Sequence, residues 1–151
     1  MKLNICDLVP GVVDGVEVLM LDDENVYKET YFEWTASNLT TTFQKKEIGI
    51  GKLVTWHHTI EYKEIEYHVD KEAFYFYSGN AIMLFIDIKN GKPDMASAQL
   101  VRIKKGTQIV IKQGKGHFVP IAEASEPVCA IVISPKMEAI RIDLEEEIGS
   151  I

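Results

Sequence analysis

The chain is short of cysteine, of long apolar runs, of positive charge and of helical periodicity, and each shortage excludes something. Two cysteines in 151 residues, Cys6 and Cys129, are too few for a disulfide framework. They lie in the runs "LNICDLV" and "PVCAIVI", where each is expected to be a small buried side chain in a reducing, cytoplasmic setting. No apolar stretch approaches the roughly 20 residues that span a bilayer. The N-terminal "MKLNICDLVPG" meets Asp7 and Pro10 before it can form the apolar centre of a signal peptide, so no membrane association is expected. Sixteen Lys and Arg against twenty-three Asp and Glu give a net charge of −7. Such a field repels phosphate backbones, and nucleic acid is not an expected partner. There is no repeat of solenoid period and no low-complexity linker.

What is present is a globular composition, 46% hydrophobic and 26% charged, in a length that suits one domain over residues 1–151. Short runs rich in β-branched and aromatic residues dominate: "GVEVLML", "IGIGKLVTWHHT", "EAFYFY", "AIMLFIDI", "AQLVRI", "TQIVI", "VCAIVI" and "AIRIDL". "SGN" at 78–80 and "KNGKP" at 89–93 carry the Gly and Asn that hairpin turns need for positive φ. The expected fold is all-β, a sandwich or barrel over 47–135. Residues 1–46 read as irregular, with N-terminal strands, and within them 22–46 reads as edge strands or a dimer-swapped arm. Residues 136–151 read as a terminal strand and an acidic tail whose Asp143, Glu145, Glu146 and Glu147 are expected to be solvated.

The stretch "EYHVDKEAFYFYSG" holds the chemistry. Alternation along a strand places Glu66 and His68 on one face, and Glu72, Phe74 and Phe76 together on one face of the next. A turn at "VD" then brings Glu66, His68 and Glu72 toward one cavity. Further on, "GTQIVIKQGKGHFVP" runs a strand into a glycine-rich turn ending at His117. Glu66, His68, Glu72 and His117 would form a mixed nitrogen and oxygen site suited to a divalent Mn, Fe, Ni, Co or Zn. The bland alternative is a polar barrel interior without metal. Phe74, Phe76, Met83 and Phe85 read as core.

These two stretches resemble the paired motifs of the cupin superfamily of small β-barrels. The first family motif is His-x-His, three or four residues, Glu, six residues, Gly; here stand Glu66-x-His68, three residues, Glu72, six residues and Gly79. The second is Gly, five residues, Pro-x-Gly-x-x-His; here stand Gly106, "TQIVI", Lys112, Gln113, Gly114, Lys115, Gly116 and His117. Glu66 replaces the first His and Lys112 the Pro. The resemblance implies a small RmlC-like jelly-roll barrel. More narrowly, "IEYHVDKEAF", "NGKPDMASAQLVRI" and "GKGHFVP" resemble the ureidoglycolate lyase branch. That branch commonly carries a neutral amide where Glu72 stands and a Trp-His-His group around the position of His117.

The resemblance implies a metal-dependent enzyme acting on a small polar acid, with cleavage of ureidoglycolate to glyoxylate and urea as the specific reaction, and with Glu72 and His117 as candidate catalytic groups. A cupin sugar or sugar-acid isomerase and a non-catalytic small-molecule-binding cupin stay open beside it. Arg102 could offer a fork to a substrate carboxylate, and Lys112 and His58 are further substrate-contact candidates. His57 and His58 fall on opposite faces of a strand, so only one could point inward. A homodimer is expected, since small cupins commonly pair through edge strands. Glu72→Gln is expected to weaken metal binding more than folding, because it removes a charge while barely changing volume.

Overall fold

The computed structural model describes residues 1–20, 26–35 and 39–151. Along these run strands β1 (Lys2–Leu3), β2 (Ile5–Asp7), β3 (Val16–Met20), β4 (Val26–Lys28), β5 (Glu33–Thr35), β6 (Ile48–Thr55), β7 (Glu61–Tyr67), β8 (Glu72–Ser78), β9 (Ala81–Lys89), β10 (Lys92–Ile103), β11 (Thr107–Ile111), β12 (Gly116–His117), β13 (Ile121–Ala122), β14 (Val128–Pro135) and β15 (Ile140–Ser150). No helix occurs among the described residues, and none is long and apolar enough to cross a membrane. One sheet has the order β1-β15-β7-β12-β9-β10-β2, with β13 also on β9; a second has β3-β11-β8-β14-β6. The all-β expectation holds.

The two sheets close over a core of Phe74, Phe76, Met83, Phe85, Ile109 and Ile111, each at most 7% exposed. Burying each such side chain contributes about 1.5–3 kcal/mol. The opposite face of β9 is buried as well: Ile82, Leu84 and Ile86 belong to a second core cluster with Tyr62, Ile65, Leu100 and Ile148. Burial on both faces is the physical reason for the unbroken apolar run "AIMLFI".

The two turn signals have different outcomes. "KNGKP" makes the β9–β10 hairpin, pairing Lys89 with Lys92 across Asn90 (φ 52°) and Gly91 (φ 74°), the two positive φ values that match the strand twist. "SGN" does not make a hairpin. It carries the chain from β8 in one sheet to β9 in the other. Gly79 there has φ +70°, and a Cβ would stand 2.7 Å from the Pro127 carbonyl oxygen.

Two further expectations are corrected, that for His57 and His58 and that for the cysteines. The strand in "IGIGKLVTWHHT" ends at Thr55, so His57 and His58 lie in the connection to β7 and strand alternation does not govern them. Cys6, on the edge strand β2, is exposed, and Cys129 is half-buried. The acidic tail belongs to β15: Glu145, Glu146 and Glu147 are exposed at an irregularity in the β15–β7 register, and Ile148 returns to the core at 0% exposure. Within 22–46, β4 and β5 pair only with each other, while 22–25 and 36–38 lie outside the described residues.

Candidate metal centre

The turn from β7 to β8 is built around Asp70. Its buried carboxylate accepts the backbone N–H groups of Gln44 (2.9 Å), Lys45 (3.0 Å) and Lys71 (2.8 Å). Burial pushes this carboxyl up, but the amides of Lys45, Lys71 and Gln44 outweigh it and hold it below the usual range. The amide of Gly114 donates to the His68 carbonyl at 2.9 Å, so the glycine-rich turn of the second stretch is tied directly to the first.

His117 reaches the same place through β12, which lies between β7 and β9 and pairs His117 with both Glu66 and Phe85. Gly116 permits the approach, because a Cβ there would meet Ile86 Cγ2 at 2.7 Å. Lys115, only 3% exposed, places its ammonium 2.6 Å from Asp87.

The result is a compact cluster. One ligating atom from each of Glu66, His68 and His117 lies within 4.8 Å of the others. Glu72 Oε2 stands 3.0 Å from His117 Nε2 and 3.2 Å from His68 Nε2. The first contact is a hydrogen bond. The second is not aligned as one, and His68 Nε2 is a buried atom with no hydrogen-bond partner. On the far side of each ring Nδ1 faces a backbone carbonyl, Lys115 O at 3.0 Å for His117 and Glu138 O at 3.4 Å for His68. A carbonyl only accepts, so each Nδ1 carries a proton; in the metal-free protein His117 Nε2 donates to the Glu72 carboxylate, and a bound ion would take the place of that proton, each Nε2 then offering its lone pair. The Glu72 carboxyl is pushed up by burial, yet the two imidazoles outweigh this and hold it at about 2. For His68, burial opposes the charged form, but the Glu72 carboxylate, the Glu138 carbonyl and Glu66 together raise it.

The donor set fits a divalent ion. Two imidazole nitrogens and a carboxylate suit Mn, Fe, Co, Ni or Zn, and the carbonyls behind the rings direct each ring to bind through Nε2. Glu66, His68 and His117 would hold it. Glu72 touches two of these ligands and is placed as their immediate partner or a fourth donor. The adjoining cavity, about 150 Å³, is lined by Glu66, Glu72 and His117 against apolar walls that include Leu53, Phe74 and Met83.

The substrate-contact candidates are not brought to this cluster. Arg102 bonds to Glu123 and to Asp7 (2.8 Å). Lys112 pairs with Asp14 at 3.0 Å on the surface. His58 donates from Nδ1 to the Thr59 carbonyl at 2.8 Å and lines a neighbouring groove instead. The cation that sequence reasoning passed over is Arg141 on β15, paired in register with Glu66. Its guanidinium stands 3.8 Å from the Glu66 carboxylate and 5.5 Å from the Phe118 ring centre. Only the alternation within "AIRIDL" hinted at its face, and nothing local to the motifs pointed to it.

No family profile and no curated protein matches the chain in sequence. Among solved structures it is similar to RmlC from Streptococcus suis in complex with dTDP-D-xylose, with a TM-score of 0.52 and 8% identity over 87% of this chain and 70% of that one. It is also similar to dTDP-6-deoxy-D-glucose-3,5-epimerase RmlC from Legionella pneumophila Philadelphia 1 in complex with dTDP-4-keto-L-rhamnose, with a TM-score of 0.51 and 12% identity over 97% and 76%. Bacillus subtilis oxalate decarboxylase chains give a TM-score of 0.46 and 18% identity over 66% of this chain, which spans about a quarter (24%) of their length. At such identities the likeness is one of fold. The chain has the RmlC-like cupin fold, and its barrel carries a His/Glu cluster of metal-binding composition.

Proposed function

We propose that the protein is a metal-dependent cupin enzyme acting on a small polar acid, with ureidoglycolate as the specific candidate substrate. One observation carries the reading: His68 Nε2 is buried without a hydrogen-bond partner, beside Glu66 and His117. The Glu72 carboxylate stands 3.2 Å away without an aligned hydrogen bond, so this nitrogen keeps a coordination position that a bound ion would fill. A divalent ion, when bound, would polarise substrate oxygens as a Lewis acid. Glu66 as a ligand makes the site harder and favours Mn or Fe.

The chain's own groups supply the rest. Glu72 and His117, joined by a hydrogen bond, border the cavity and are the candidate pair for the proton transfers. In a ureidoglycolate lyase-like reaction the carbinol oxygen loses its proton, its electron pair forms the glyoxylate carbonyl, and the C–N bond breaks. The proton taken from the carbinol oxygen is returned to the departing urea nitrogen by the same pair of groups, so the step is balanced. Leu53, Phe74 and Met83 limit water around the reacting atoms. A sugar or sugar-acid isomerase is the second reading, favoured by the groove that adjoins the cavity.

Metal analysis of purified wild type, His68→Ala and His117→Ala tests the centre. About one divalent ion per chain in wild type is expected, with a loss in each variant exceeding the 10–100-fold effect of an outer-shell change. Release of urea and glyoxylate from ureidoglycolate then tests the substrate. A folded protein that binds no metal would overturn the proposal.

A further inference from the structure

A second groove, of about 320 Å³, lies against the metal cavity, and Phe118, Val119 and Pro120 line both. Thr55, Trp56, His58 and Glu61 line the rest of its polar side. The Thr55 hydroxyl is buried and has no hydrogen-bond partner. The His58 Nδ1–H is committed to the Thr59 carbonyl, which leaves Nε2 as an acceptor. No hydrogen bond or ion pair engages the Glu61 carboxylate or the Trp56 indole N–H among the described residues. Trp56 is 67% exposed, a large apolar face left in water at the groove.

An indole face beside several unpaired hydrogen-bonding groups matches a ligand with an apolar C–H face and a rim of hydroxyls. Charge narrows the class. No Lys or Arg lines the groove, while Glu61 does. Lys63 lines an extension of the groove past His58 and Glu61, but its ammonium faces Glu147 at 3.5 Å. Arg141 faces Glu64 and Glu66. A phosphate here would meet carboxylates without a free cation.

We infer that the groove of Thr55, Trp56, His58 and Glu61 binds an uncharged, hydroxyl-bearing ring, a sugar or cyclic polyol, in preference to a sugar phosphate or nucleotide sugar. It builds on the second reading of the metal cavity, a sugar or sugar-acid isomerase, whose substrate ring would extend past Phe118 into the groove.

Titration with D-glucose, D-xylose and myo-inositol, followed by saturation-transfer NMR, tests this on protein as purified and after chelation. At least one probe should bind with a Kd near about 1 mM, corresponding to about −4 kcal/mol. Trp56→Ala should weaken it at least tenfold and Glu61→Gln at least threefold. Glucose 6-phosphate and UDP-glucose should bind more weakly than glucose. Trp56 is exposed, so its variant is expected to fold, and a thermal melt checks this. Absence of binding by all three probes, binding that survives Trp56→Ala, or tighter binding of the phosphorylated probes would overturn the inference. Sugar binding by chelated protein stands whatever the metal analysis gives, and metal binding without sugar binding sinks only the groove.

Discussion

Glu72→Gln keeps the side-chain volume and removes the charge that faces both imidazoles, 3.0 Å from His117 Nε2 and 3.2 Å from His68 Nε2. Lowering this carboxyl from 4.5 to about 2 in the folded, metal-free protein corresponds to roughly 3 kcal/mol. Gln still offers one oxygen to His117, so the expected loss is about 1–3 kcal/mol at pH 7. In a chain of this size that is a fall of roughly 2–10 °C in melting temperature. The sign is set by the direction of the shift. A carboxyl depressed by folding stabilises fully above its unfolded value and loses that contribution as pH falls toward the folded one. Wild type and variant should therefore converge between pH 4.5 and about 2. Melting of chelator-treated protein across this range is the assay. Equal stability at pH 7, or a gap that does not shrink in acid, would refute the pairing. The expectation that folding is spared came from volume alone and missed the two imidazoles. The accompanying loss of metal affinity remains about 10–100-fold.

Gly79→Ala forces a Cβ to 2.7 Å from the Pro127 carbonyl at φ +70°, and should cost at least about 2 kcal/mol, read by urea denaturation. Asp70→Ala leaves three backbone amides without their acceptor, and a loss of about 2 kcal/mol at neutral pH is expected. Because folding lowers the Asp70 carboxyl, the wild-type advantage should be complete above the ordinary value of 3.8 and fade as pH drops below it; denaturation at pH 7 and pH 3 checks this.

The cluster was legible because its spacing is partly local. Glu66, His68 and Glu72 span one turn, and Gly106 through His117 is a strand plus a glycine turn. What faces a side chain from afar was not legible. Arg102 has the fork suited to a carboxylate, but its carboxylates are Asp7 and Glu123 of its own chain. Arg141 reaches Glu66 only through the register of β15 on β7, which an irregularity between Asp143 and Ile148 resets. The dipeptide in "SGN" announces a positive φ and is silent on whether the next strand pairs with the last. Cys6 sits in an apolar run, yet its strand is at a sheet edge, where only one neighbour covers it.

β12 is two residues long and, among the described residues, is the strand whose backbone ladder lies between β7 and β9 in the larger sheet. That sheet is a fabric with a short stitch at its middle, backed by the Tyr62 hydroxyl on the Ile82 carbonyl, and His117 is part of the stitch. An ion gripping His117 from one side and Glu66 and His68 from the other would act as a knot across the seam. Amide exchange at β7, β12 and β9 would then slow on loading, while β3 and β6, at the outer edges of the other sheet, would exchange as before.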